Sequence, residues 1–114
     1  MNLFTLAAAS LVLSSAAAFA HSDDMTTLPA DGDVMETAPE EITFSFDDAL
    51  RMTRVELIRD DADAEDLDLG DQQSFTTEFA VPLTEVGPGS YLIEWRGLGI
   101  DGHPVQGSFS FDVE

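Results

Sequence analysis

The sequence predicts an all-β protein, an antiparallel sandwich or small barrel, on three observations. Apolar and polar residues alternate with period two in several short runs. Glycine- and proline-bearing turns divide those runs at roughly ten-residue spacing. No window sustains the 3.6-residue periodicity of an amphipathic helix.

The elements follow in chain order. Residues 1–20, MNLFTLAAASLVLSSAAAFA, hold no charged side chain and 15 apolar residues, and they close on Ala18-Phe19-Ala20. That is the pattern of a cleaved secretory signal, although no Lys or Arg precedes the apolar run. Residues 21–114 are then expected to form one domain, beginning at His21. A turn at Pro29–Gly32 and an Ala38-Pro39 step lead to a strand in which Ile42, Phe44 and Phe46 alternate with Thr43 and Ser45. Weaker strands are expected at residues 54–59 and 74–79. After Gly87-Pro88-Gly89, Tyr91, Ile93 and Trp95 alternate with Leu92, Glu94 and Arg96. A glycine-rich stretch, Gly97–Gly107, precedes the last strand, whose inward set is Phe109, Phe111 and Val113. Tyr91 and Trp95 are expected in the core or flanking a site, since alternating strand aromatics usually pack inward.

Charge narrows the function. Four Lys and Arg (all arginines) stand against 23 Asp and Glu, for a formal net charge of −19. Nucleic acid is excluded as a partner, because phosphate contacts need a basic face. Anionic membrane surfaces are disfavoured for the same reason, and no membrane insertion is expected after cleavage. So acidic a surface draws cations. With no cysteine, disulfide staples and thiolate metal sites are excluded, leaving His, Asp, Glu, Met or the terminus as metal donors. The densest acidic run, Asp60–Asp71, could suggest a calcium loop. Counted from Asp61, however, its sixth position is Asp66 and its twelfth Gln72, where an EF-hand needs glycine and a bidentate acid. A solvated, mobile loop is the expectation.

The chain holds two histidines. His21 follows the cleavage site, and His103 lies in Asp101-Gly102-His103-Pro104. Alone, each reads as a surface or turn residue. Together they offer more: a terminal histidine supplies its amine and ring Nδ1, and Asp101 and His103 add two further donors. Four N/O donors without sulfur suit Cu(II), while zinc prefers a tetrahedral set. Gly102 allows the bend that lets Asp101 and His103 face one metal.

The run from Tyr91 through Trp95, Asp101-Gly102-His103 and Gly107 to Phe109-Ser-Phe111-Asp-Val113 resembles the C-terminal signature of the CopC family of periplasmic copper-binding proteins. The N-terminal part is similar too, from His21 through Leu28-Pro29-Ala30-Asp31-Gly32 to Ala38-Pro39 and the Ile42–Phe46 strand. The resemblance implies a Greek-key β-barrel of the immunoglobulin/cupredoxin-like sort. It also implies one Cu(II) per chain on His21, Asp101 and His103, and a non-enzymatic, monomeric periplasmic protein. Its role would be copper resistance and homeostasis, or supply of a CopD-like inner-membrane importer. Met25, Met35 and Met52 show no Met-x-x-Met spacing, so the Cu(I) site of some members is expected to be absent and these methionines to be packing or surface residues. Gly99 and Ile100 replace a small polar run more usual before the aspartate, a change that touches ligand surroundings. Two other readings stay open. One is a metal-free immunoglobulin-like module. The other is a small copper-dependent oxidase, disfavoured because 94 residues scarcely supply a substrate face and Asp101 would fill a position oxygen chemistry needs open.

Overall fold

The computed structural model describes residues 25–72, 74–84 and 86–114; the expected signal segment and His21 lie outside them. The described chain is all β, with strands β1 (Met25–Leu28), β2 (Asp33–Met35), β3 (Glu41–Arg59), β4 (Glu65–Asp66), β5 (Thr76–Pro82), β6 (Gly89–Gly99) and β7 (Pro104–Val113). They form one sheet whose strand path runs β1-β3-β6-β7-β2, with β4 and β5 also paired to β3. Consecutive strands β1 and β2 occupy opposite ends of that path. Only residues 29–32 join them, and a chain spans at most about 3.6 Å per residue. The sheet must therefore curl until its ends approach, which makes it a barrel-like fold around one core.

Period-two burial builds that core. Ile42, Phe44 and Phe46 of β3, Phe79 and Val81 of β5, Tyr91, Ile93 and Trp95 of β6, and Phe109, Phe111 and Val113 of β7 are all buried. The aromatic rings meet mostly edge to face: Phe46–Trp95 at 5.1 Å and 66°, Phe44–Phe109 at 5.8 Å and 78°. Such pairs are worth about 0.5–1.5 kcal/mol beyond the area they bury. Gly107 is required beside Trp95, because a Cβ there would lie 2.8 Å from the indole ring. Of the two placements expected for Tyr91 and Trp95, the structure shows the core; of those expected for the methionines it shows packing, with Met52 buried and Met25 and Met35 against the core.

Three features differ from the sequence expectation. First, the segments 42–46 and 54–59 belong to one 19-residue strand. Phe46 and Leu50 are both buried with Asp47, Asp48 and Ala49 between them. Asp48, at the inward position between them, is exposed, which breaks strict alternation, and the β3–β5 register shifts across this stretch. A second bulge leaves Thr53 between the Met52↔Gly97 and Arg54↔Arg96 pairs. Second, one pairing is parallel, β2 with β7. The Pro29–Gly32 turn is pinned to β7, with Gly32 N–H donating to the Ser110 carbonyl (2.7 Å) and Ser110 N–H donating to Asp31 Oδ1 (2.9 Å). The chain thus leaves Ser110 in the direction of Phe111–Val113. Third, the acidic segment is exposed but tethered. Glu65–Asp66 pairs with Glu56 and Leu57, Leu67 N–H donates to the Val55 carbonyl (2.8 Å), and Arg54 reaches Asp66 at 2.9 Å. Leu67 and Leu69, apolar residues within the acidic run, pack against the core and hold it down.

Candidate metal centre

The β6–β7 hairpin carries the two predicted donors that lie within the described structure. Its last paired residues are Leu98 and Pro104, and the turn between them is closed from inside. Gly99 N–H donates to the His103 carbonyl, and Gly102 N–H donates to the Gly99 carbonyl, each at 2.9 Å. Gly102 sits at φ +83°, where a side chain would strain the backbone. Gly99 has its own task in the turn. A Cβ there would lie 3.0 Å from Asp101 Oδ1, so glycine leaves room for the carboxylate.

The turn brings Asp101 and His103 together. His103 N–H donates to Asp101 Oδ1 at 3.0 Å, and His103 Nδ1 lies 2.8 Å from Asp101 Oδ2. The bond from the His103 ring, and then that from its backbone N–H, hold the Asp101 carboxyl below its ordinary range, because both favour the carboxylate. Both side chains are open to solvent, His103 at 80% and Asp101 at 70% exposure. With Nδ1 turned to Asp101, Nε2 is the outward ring nitrogen. The pair is a preformed two-donor site of nitrogen and carboxylate oxygen, fit for a divalent metal of intermediate softness. It is incomplete on its own: among the described residues no three His, Cys, Asp or Glu converge on one point.

The strand layout indicates where further donors could arrive. β1 and β5 flank β3 on opposite edges at residues 43–45, and β5 and β6 flank it on opposite edges at Leu50. Strands β1 and β6 therefore lie end to end along one edge of β3. β1 starts at Met25 opposite Phe46, and β6 ends at Gly99 opposite Leu50. Only Asp47, Asp48 and Ala49 of β3 separate them, so the start of β1 points at the Asp101–His103 turn.

A curled sheet that presents an Asp–His pair on an exposed hairpin turn defines a small β-barrel module with a surface donor site. The chain belongs to the CopC family: residues 25–114 match the CopC domain. It is 31% identical over 114 residues to copper resistance protein C of Xanthomonas campestris pv. juglandis, covering 90% of this chain and 87% of that one. Its fold matches CopC of Methylosinus trichosporium OB3b, with a TM-score of 0.65 at 21% identity over 77% of this chain and 88% of that one. It also matches PcoC, a copper resistance protein of Escherichia coli, with a TM-score of 0.58 at 19% identity over 78% of this chain and 96% of that one.

Proposed function

We propose that this protein is an exported, non-catalytic copper carrier that binds one Cu(II) through His21, Asp101 and His103. The observation that carries the reading is the exposed Asp101–His103 pair at the end of β6 toward which β1 starts. His21 stands four residues before Met25. Those residues can span about 13–14 Å, and the stretch of β3 from Phe46 to Leu50 covers about the same length at 3.3 Å per residue. A terminal histidine is thus within reach of the turn. Family membership and the copper resistance relative support the choice of metal.

The chemistry fits the donor set. Amine, two imidazoles and a carboxylate form the N,O environment that favours Cu(II) over other divalent first-row metals. The amine must be free and deprotonated, so affinity should fall as pH drops below its reference pKa of about 7.7–8.0. Direct ligation by Asp101 Oδ2 exchanges its bond with His103 Nδ1 for the metal, while His103 offers Nε2. Removal of residues 1–20 would create the amine ligand, so export and competence to bind copper become one event. The carrier would act in the periplasm, in copper resistance or in delivery to a CopD-like membrane importer.

The test is a Cu(II) titration of protein beginning at His21 beside the same protein with one residue added ahead of it. The amine–imidazole chelate predicts much weaker binding by the extended form, and equal binding would exclude it. Spin-resonance spectra of Asp101→Ala and His103→Ala then check the other two ligands, each substitution being expected to alter the copper signal.

A further inference from the structure

All four arginines of this strongly acidic chain lie on β3 and β6. Three of them gather on one face near one end. On the outward side of the sheet, Arg51 stands opposite Leu98, and Arg54 stands opposite Arg96. The next row pairs Glu56 with Glu94. Charge is thus sorted by row, with like opposite like, an arrangement that disfavours the pairing it sits on. Arg54 is engaged by Glu56 (2.6 Å) and Asp66 (2.9 Å). Among the described residues neither Arg51 nor Arg96 makes an ion pair. Two guanidiniums without an ionic partner among the described residues thus lie in adjacent rows on one face of a chain with 23 acidic residues.

Apolar residues adjoin this basic row. Leu98 is half-buried beside the arginines, and Ile100, two residues on, is 72% exposed at the tip of the hairpin. Arg96, Leu98 and Ile100 thus lead directly from the basic row to Asp101 and His103.

We propose that Arg51, Arg96, Leu98 and Ile100 form a docking surface for an acidic segment of a second protein. Carboxylates of that segment meet the two guanidiniums, and an apolar side chain covers Leu98 and Ile100. Arginine suits this role because its planar fork pairs with carboxylates in two parallel bonds. A planar anionic membrane fits less well. Its breadth would bring it over the Glu56–Glu94 row immediately behind the patch, whereas a short segment can lie along Arg51, Arg96, Leu98 and Ile100 without covering that row; the net charge of −19 opposes both alike. The surface stands independently of copper; its use in handing copper to or from a partner rests on the reading above.

The experiment is an NMR titration of the metal-free exported protein with acetyl-Glu-Glu-Leu-Glu-Glu-amide at about 0.15 M salt, where screening leaves mainly short-range contacts. Shifts are expected at Arg51, Arg96, Leu98 and Ile100. The double variant Arg51→Gln/Arg96→Gln should bind about tenfold more weakly, from the loss of two charged contacts. Arg96→Lys should retain part of the binding, and Arg59→Gln, at the far end of β3, should retain all of it. Undiminished binding by the double variant, or shifts centred elsewhere, would overturn the proposal. So would arginine-dependent sedimentation with phosphatidylglycerol vesicles, which would assign the patch to lipid, or arginine-dependent self-association, which would assign it to a second copy. Cu(II) titration of the double variant keeps the two readings apart: unchanged copper binding with lost peptide binding upholds docking. Lost copper binding would mean that the arginines serve the metal site, and would overturn it.

Discussion

Two exposed regions of this molecule differ in what they can hold. The Asp60–Asp71 segment concentrates carboxylates, yet they lie along a tethered loop whose anchors are Leu67, Leu69, a two-residue strand and Arg54. The Gly99–His103 turn has a single carboxylate and a single imidazole. There, two glycines and two backbone hydrogen bonds force Asp101 and His103 into contact. Density of charge attracts cations in general, while a fixed pair of unlike donors selects among them. A site is made by convergence, and the acidic segment has charge without it.

The largest effect that would sharpen this contrast is expected at the terminus. Adding one residue ahead of His21 should weaken Cu(II) binding about a hundredfold, or roughly 2.7 kcal/mol, read by competitive titration. Neutralising the acidic segment with Asp61→Asn and Asp63→Asn should leave copper affinity within about twofold, since exposed charges act mainly through a screened field. Reversal of that order would mean that copper rests on the acidic segment.

Gly102→Ala comes next. At φ +83° the added Cβ should cost about 1–2 kcal/mol of stability by thermal or denaturant unfolding. It should also weaken copper binding, whereas the same change at an exposed, unstrained loop position should do neither.

A smaller effect concerns acid. Because the Asp101 carboxyl is held below its ordinary value by His103, its contribution to the turn is complete above the ordinary carboxylate pKa of about 3.9. That contribution is lost as pH falls through the depressed folded value. Carbon-13 NMR should therefore find the Asp101 titration midpoint below the ordinary one, and His103→Ala should move it back up. A midpoint unmoved by His103→Ala would mean that the pair is not formed in solution.

Much of the fold was legible because burial imposes period two directly on residue type. Ile42–Phe46, Tyr91–Trp95 and Phe109–Val113 announce their inward faces. β3 read as two strands because its bulges at Asp47–Ala49 and Thr53 interrupt that period while the backbone continues. The tether of the acidic segment was hidden by composition: two leucines among many carboxylates look like noise until a core surface lies beneath them. At the site, Asp101, Gly102 and His103 could be singled out by residue chemistry and spacing. The task of Gly99 could not, since it depends on where the Asp101 carboxylate turns.

By itself, then, the sequence determined the all-β class and the inward residues, and it singled out Asp101 and His103 of the hairpin turn as candidate donors, because each follows from local pattern and residue chemistry. Tertiary structure alone decided that β1 starts toward the end of β6, and that the short β1–β2 link curls the sheet. It also decided that Arg51 and Arg96 stand on one face, without ionic partners among the described residues. Those are facts of register and strand order. They are set by which surfaces the chain can bury together, and no local window of sequence contains them.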